Sequence, residues 1–489
     1  MSIKNKQDYL NSLKNQDIEL YLFGEKVNDI INHPYIRPSI NSAAMTYELA
    51  EKEEYRNLFI VESHLSGKKI NRFTHIHQSK EDLIKKIKML RLLGQKTASC
   101  FQRCVGMDAL NTLYSVTFEI DQEYRTDYHK RFLEFLDYVQ KGDLIVDGAM
   151  TDPKGDRSLR PCEQKDPDMY LHIVKESSEG IIVRGAKAHQ TGCINSHEIL
   201  VMPTLSLNED EKDYAVSFAV PVITRGLIYI YGRQSSDTRR LEEGICGEID
   251  RGNTYFGGQE VMVIFEDVFV PWERVFMCRE YKYSTELVER FAGYHRQSYG
   301  GCKVGVGDVL IGAACLIAEY NGVEKASHIK DKIVEMINLN ETIYSCGIAC
   351  SFEGTRTPSG NYLVDLLLAN VCKQNVTRFP YEISRIIQDI AGGKMVTLPS
   401  ARDFKSPAVG SKLEKYLKGI ESVPAENRIR ILRFIENMTL GSGAVSYLTE
   451  SMHGAGSPQA QRIMISRLTD LNYRKDLARQ VAGIRDVKK

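Results

Sequence analysis

The sequence predicts an α+β fold laid out in three segregated parts, helical, then β-rich, then helical again. Three observations carry this expectation. Leu83, Ile84, Ile87, Leu90 and Leu93 repeat at the spacing of one helix face. Six short β-rich runs alternate with turn residues between about 165 and 276. Beyond 281, long stretches with little internal proline return.

Taken in order, residues 1–150 read as a helical domain. The helix at 82–93 is followed by helix-compatible sequence over 97–113, which carries Cys100 and Cys104, and by an amphipathic stretch at 126–140. Residues 147–161 include Asp152-Pro153-Lys154-Gly155-Asp156-Arg157-Ser158, which has turn chemistry and no periodicity. This reads as a functional loop at a domain junction. Residues 151–276 are expected to form a central β-domain from strands at 169–175, 180–185, 198–203, 214–222, 227–232 and 259–268. Their spacing suggests a compact sheet or barrel. Residues 277–489 are expected to be a helical bundle, with helices at 304–319, 328–352, 362–388, 412–419 and 426–441.

The totals narrow the function. The chain has 489 residues and is 43% hydrophobic, enough for a sizeable core. Lys plus Arg and Asp plus Glu both number 64, so no overall field favours nucleic acid or an anionic membrane. The first nineteen residues are polar and do not resemble a signal peptide. No apolar run is read as approaching the roughly 20 residues of a spanning helix. Eleven scattered cysteines argue against a disulfide framework and for a reducing, cytoplasmic setting.

The chemistry concentrates in Tyr294-His295-Arg296-Gln297-Ser298-Tyr299-Gly300-Gly301-Cys302-Lys303. His295 and Cys302 lie seven apart, about two turns if the segment is helical. Cys100 and Cys104 lie four apart, which on a helix puts both sulfurs on one face. Alone, that C-x3-C is most often two buried thiols. Together the three thiols and one imidazole offer a four-point cage for an iron–sulfur cluster, in which histidine gives one iron a displaceable ligand. Glu260 and Glu450, if buried beside that cage, would carry perturbed pKa values suited to acid–base work. Lys303 could hold a thioester oxygen or a carboxylate. Gly454 and Gly456, and Gly392 and Gly393 after Gln388, could admit a close phosphate. Gly305-Val306-Gly307 lacks the full dinucleotide pattern. His75 and His77 form H-x-H with no third ligand in view and read as structural.

Phe265-Glu266-Asp267-Val268-Phe269-Val270-Pro271-Trp272-Glu273-Arg274 resembles the strand-to-helix segment of the acyl-CoA dehydrogenase-like flavoproteins, and in particular the group of 4-hydroxyphenylacetate 3-monooxygenase. The four cage positions, with Ala188-His189-Gln190-Thr191-Gly192 and His453-Gly454-Ala455-Gly456-Ser457-Pro458-Gln459, closely resemble the 4-hydroxybutyryl-CoA dehydratase family. The resemblance implies an acyl-CoA dehydrogenase-like fold with a central β-barrel, in a homotetramer with no membrane or nucleic-acid partner. It implies FAD, a 4Fe–4S cluster and an acyl-CoA substrate. The activity implied is radical dehydration of 4-hydroxybutyryl-CoA to crotonyl-CoA, with isomerisation of vinylacetyl-CoA beside it. Carried over by position, Cys100, Cys104, Cys302 and His295 would bind the cluster. His295, Tyr299, Lys303, Glu260 and Glu450 would be catalytic. Gln102, Asp156, Arg157, His189, Gln190, Thr191, Gln388, Gly392, Gly393, Gly454 and Gly456 would contact the flavin or line its site. The alternative on the same fold is a reduced-flavin aromatic hydroxylase, in which the cysteines are spectators.

Overall fold

The computed structural model describes residues 3–14, 16–232 and 249–484. The N-terminal part carries α1 (Lys6–Leu13), strands β1 (Glu19–Leu22) and β2 (Glu25–Lys26), α2 (Arg37–Glu51), α3 (Arg56–Phe59) and the ribbon β3 (Ile60–Glu62) and β4 (Lys69–Asn71). It continues with α4 (Lys80–Thr97), α5 (Cys104–Tyr124) and α6 (Tyr128–Gly142). The middle holds β5 (Val146–Ala149), β6 (His172–Glu176), β7 (Gly180–Thr191), β8 (Glu198–Val201), β9 (Val216–Pro221), β10 (Leu227–Tyr231), β11 (Glu260–Pro271) and β12 (Val275–Cys278). All six expected strands form, although β7 runs on through His189-Gln190-Thr191.

The central barrel expected from the sequence does not form. The strands make two open sheets, one in the order β2-β1-β10-β11-β7-β6 and one in the order β12-β9-β8-β5. A barrel needs its first and last strands to pair. Among the described residues, the outer strands stay unpaired at the edges of each sheet. The 12-residue β11 bends at a bulge between Phe265 and Val268, where Asp267 takes φ 50°. The sheets instead pack face to face, with Phe218 of β9 edge-on to Phe265 of β11 at 6.1 Å. The sheet also recruits β1 from the N-terminal part, parallel to β10.

The C-terminal part holds α7 (Ser284–Tyr320), α8 (Ser327–Phe352), the ribbon β13 (Thr355–Arg356) and β14 (Tyr362–Leu363), α9 (Leu366–Val376), α10 (Phe379–Ala391), α11 (Ala401–Lys405) and α12 (Gly410–Leu417). After these come α13 (Ala425–Thr439), a π-helical turn at Val445–Thr449, α14 (Glu450–His453), α15 (Pro458–Leu468) and α16 (Leu471–Val481). The expected helix at 362–388 divides, because Pro380 has no N–H to donate and begins a new helix beside Phe379. The expected helix at 304–319 is the second half of the 37-residue α7.

By length and composition the stretch Tyr281–Tyr320 is long and apolar enough to cross a membrane, which corrects the expectation that no such run exists. Its apolarity serves internal packing. Gly301 sits so close to α4 that a Cβ would lie 2.6 Å from the Ile87 carbonyl oxygen. A Cβ on Gly300 would lie 2.7 Å from Gly347 Cα on α8. α7 is therefore clamped backbone to backbone between α4 and α8, and it is the scaffold of the site below.

Candidate active site

Four side chains of α7 converge on one buried region. His295, Tyr299, Cys302 and Lys303 recur at three-, four- and seven-residue spacings, so they share a face. The thiol partners come from the α4–α5 junction. α4 stops at Thr97, Ala98 turns left-handed at φ 47°, and α5 starts at Cys104. Cys100 therefore lies in the connection, and the expectation that it shares a helix face with Cys104 is corrected. The Cys104 thiol is still near enough to act on Cys100 electrostatically. Burial and the nearby Glu450, Cys104 and Cys302 push the Cys100 thiol well up, and burial, Cys302 and Asp108 do the same for Cys104. The Cys302 thiol is pushed up to about 11 by burial, against the pull of Lys303.

His295 is held from behind. Its Nδ1 lies 2.9 Å from Asp108 Oδ2, and its ring stacks on Phe291. Asp108 is itself buried, accepting from Lys86 Nζ at 2.5 Å and from Ser298 Oγ at 3.0 Å. This leaves Nε2 as the free nitrogen of the imidazole, in the carboxylate–histidine arrangement common behind metal-binding rings. Asp108 lies one turn beyond Cys104 on α5, and that spacing could have flagged it.

Two carboxyls face this group. Strand register makes Glu260, the first residue of β11, the partner of Thr191, the last of β7. Thr191 Oγ1 donates to Glu260 Oε1 at 2.7 Å. Burial and the neighbouring Glu450 raise the Glu260 carboxyl well above the usual range. Glu450 leaves the π-helical turn, a feature often found at functional sites. Its Oε2 pairs with Lys303 Nζ at 2.7 Å, and its buried Oε1 meets no donor. Glu260 lies near enough for the Glu450 charge to act on it. Lys303 also donates to the Ser446 carbonyl of the π turn. Burial works against its charge, but Glu450, Cys302 and Cys100 prevail and hold its pKa above the ordinary lysine value.

Tyr299 lies at the centre. Its ring stands edge-on to His295 at 5.2 Å, beneath Lys303 at 5.1 Å and Lys373 at 4.4 Å. Burial, Glu450 and the thiols keep its phenol protonated far above the ordinary value. Lys373 had no sequence signal. Burial, then Lys303 and Arg296, drive its pKa well down. Gly454 is wedged against Tyr299, and a Cβ there would come within 1.9 Å of the phenol oxygen. Gly456 lies beside the Arg296 guanidinium.

The remaining expected residues divide. Buried Gln102, at φ 68°, donates to the Ser39 and Gly257 carbonyls at 3.1 Å and accepts from Asn195 at 2.9 Å, so its amide braces the loop next to Cys100. Gln190 donates to the Ala188 carbonyl. His189 is exposed, with φ 60°, and burial, Lys154 and His453 lower its pKa. Asp156 and Arg157 lie on an exposed loop, where Asp156 binds Ser158. Gln388, Gly392 and Gly393 line a different feature, an open groove of about 550 Å³ that none of the side chains above enters. Among the described residues, no three His, Cys, Asp or Glu side chains are placed to share one metal ion.

Family models match both halves of the chain: 4-hydroxyphenylacetate 3-hydroxylase N terminal over residues 5–277 and its C terminal over 284–483. The oxygenase component of 4-hydroxyphenylacetate 3-monooxygenase complexed with FAD superimposes with a TM-score of 0.85, at 25% identity and 98% coverage of each chain. The expected acyl-CoA dehydrogenase-like fold is thus corrected to the 4-hydroxyphenylacetate 3-hydroxylase class of helix–sheet–helix proteins.

Nearer relatives stand within that class. The 4-hydroxybutyryl-CoA dehydratase/vinylacetyl-CoA-Delta-isomerase of Clostridium aminobutyricum is 61% identical over 487 residues, 98% of this chain and 99% of that one. An oxygen-tolerant archaeal 4-hydroxybutyryl-CoA dehydratase from N. maritimus superimposes with a TM-score of 0.97 at 59% identity, over 100% of this chain and 97% of that one. The chain belongs to the 4-hydroxybutyryl-CoA dehydratase/vinylacetyl-CoA-Delta-isomerase family.

Proposed function

We propose that the protein dehydrates 4-hydroxybutyryl-CoA to crotonyl-CoA and isomerises vinylacetyl-CoA to the same product, as a lyase with isomerase activity. The observation that carries this is the grouping of the Cys100, Cys104 and Cys302 thiols and an Asp108-backed imidazole with the Glu260–Glu450–Lys303 group. The 61% identity to the dehydratase/isomerase supports it across the whole chain.

The cofactors proposed are FAD and a 4Fe–4S cluster. The donor set fits the cluster, because a cubane takes one protein ligand per iron and its donors stand wider apart than those of a single ion. Cys100, Cys104, Cys302 and His295 Nε2 would hold it. The flavin is supported by the FAD complex of the oxygenase relative. The Gly454–Gly456 turn, Thr191 and the exposed His189, Asp156 and Arg157 are proposed to face it. When bound, these groups supply one-electron chemistry and a Lewis-acidic iron.

The chain's own task is proton traffic. Dehydration takes one hydrogen from C2 and one from C3, releases the C4 hydroxyl and returns a proton to C4, which balances as crotonyl-CoA and water. Isomerisation needs only removal at C2 and delivery at C4. The thioester acidifies C2 but not C3, so the second removal is the difficult one. Glu450, paired with Lys303, would be the base for C2, and Glu260, whose carboxyl burial raises, would be the proton-bearing neighbour. The Tyr299 phenol would serve the C3–C4 end, as would His295 Nε2 once it has left its iron, with Nδ1 held by Asp108 throughout. A reducing, cytoplasmic setting is proposed, with which the ten described cysteines, all unpaired, accord; the homotetramer is proposed from the family resemblance alone.

Anaerobic purification should give about four irons and one FAD per chain, with crotonyl-CoA formed from both substrates. Cys302→Ala should lose iron and dehydration together while keeping its flavin. Full dehydration by an iron-free protein, or oxygen-dependent hydroxylation of a phenol in its place, would sink the proposal.

A further inference from the structure

We propose that Lys373 is a positioning residue for Glu450: from α9 its ammonium grips the backbone at Glu450 and Ser451 and so fixes where the Glu450 carboxylate can reach. The inference rests on the proposed function, in which Glu450 is the base for C2.

α9 starts at Asp365, which accepts from the Leu368 N–H at 2.7 Å. From there Ala369, Cys372 and Val376 turn into the core, each wholly buried. Asn370 and Lys373 lie three apart, on one face of the helix. Lys373 is wholly buried as well. Burying an ammonium is costly unless its donors are met, and a carboxylate is the usual partner. Among the described residues Lys373 has no carboxylate within ion-pair reach. Its Nζ donates instead to the Ser451 carbonyl and, at 3.4 Å, to the Glu450 carbonyl.

Those carbonyls call for outside donors. α14 has four residues, and the last four carbonyls of any helix lack partners within it. The Gly454 N–H reaches the Glu450 carbonyl at 2.8 Å, and Lys373 serves Ser451. The same face of α9 holds the segment again further on. Asn370 accepts from Arg296 Nη1 at 2.7 Å, and Arg296 Nε donates to the Ala455 carbonyl at 3.1 Å. From the other side, Lys303 of α7 holds the Ser446 carbonyl and Glu450 Oε2. Glu450 is therefore fixed by its carboxylate from α7 and by its main chain from α9. A methionine at 373 would fill the same core space, so packing alone does not call for a lysine. The ammonium earns its place by what it holds, and a displacement of about 1 Å at a reacting group can cost about 100-fold.

The test uses the full-length holoenzyme and two readouts. Lys373→Met keeps the length of the stem and removes the donors. Hydrogen–deuterium exchange followed by mass spectrometry should show peptides over 447–456 exchanging at least five-fold faster, with α4 and α5 unchanged. For vinylacetyl-CoA, kcat should fall by about 10–100-fold with KM within two-fold, while iron, flavin and melting temperature hold. Combined with Glu450→Gln, Lys373→Met should cost nothing further, because the side chain it positions no longer acts. Should the methionine variant fail to fold, Lys373→Gln, too short to reach both carbonyls, is read the same way. Unchanged exchange over 447–456, unchanged kcat, or losses that multiply in the double variant would each overturn the role of Lys373. A parent holoenzyme that does not isomerise vinylacetyl-CoA would instead overturn the proposed function and, with it, the role of Glu450.

Discussion

Gly454 leaves no room for a methyl group. A Cβ there would stand 1.9 Å from the Tyr299 phenol oxygen and 2.8 Å from the Glu450 carbonyl oxygen. Gly454→Ala must push Tyr299 out of line, and a displacement of about 1 Å at a reacting group can cost about 100-fold. Both activities should fall at least ten-fold while far-UV circular dichroism stays unchanged. Asp147 makes a different residue-scale case. It is buried, and burial raises its pKa from 3.8 to about 7 against the opposing pull of Cys193 and the Gly148 N–H. The unfolded chain gives up this proton first. The stability contributed by the neutral carboxyl is therefore complete below pH 4 and is lost as pH rises toward 7. Asp147→Asn should match the parent at pH 4 and exceed it above pH 7, by up to about 4 kcal/mol, read as a growing difference in melting temperature. At this scale the thiols, His295, Tyr299, Lys303 and both glutamates could be picked out from residue type and spacing. Lys373 and the Ser446 carbonyl could not, because their roles arise only when α9 and the π turn fold back onto α7.

α7 turns its glycines into contacts, and that sets the element scale. A Cβ on Gly305 would lie 2.1 Å from the Arg91 carbonyl oxygen of α4, whereas one on Gly312 would meet nothing within 4 Å. The two positions should respond with opposite signs. Gly305→Ala should destabilise by about 1–3 kcal/mol or more through overpacking. Gly312→Ala should stabilise by about 0.5–1 kcal/mol, because alanine loses less backbone entropy in a helix. Chemical denaturation of the pair measures both, and equal effects would refute backbone contact between α4 and α7. The same glycines explain why the sequence reading placed the start of this helix too late: Gly300, Gly301, Gly305 and Gly307 look like breaks until α4 and α8 are laid against them. The interruption at Cys100 was hidden for the opposite reason. Ala98 and Gln102 adopt left-handed backbone with no glycine or proline to announce it. The strands were legible from their alternation, but whether they close into a barrel depends on pairings between distant segments, such as β1 with β10, which local pattern does not encode.

Across the whole molecule, the carboxyl pair comes from opposite halves: Glu260 from the sheets within the 5–277 match, and Glu450 and Lys303 from the bundle within the 284–483 match. Neither half alone holds both carboxyls. That division separates two kinds of loss. Removing a thiol should spare the carboxyls that serve C2, yet remove a ligand of the proposed cluster. Replacing Glu260 by Gln keeps the neutral, hydrogen-bonding shape of a protonated carboxyl but cannot pass its proton on. Glu260→Gln should therefore fold, retain iron and flavin, and shift the melting temperature little. Its turnover of both vinylacetyl-CoA and 4-hydroxybutyryl-CoA should drop by a similar factor of about 10²–10⁴, the usual contribution of a general acid or base. A variant that isomerises at full rate while dehydration fails would place Glu260 with the leaving hydroxyl instead of the C2 proton, and the division of labour between the halves would have to be redrawn.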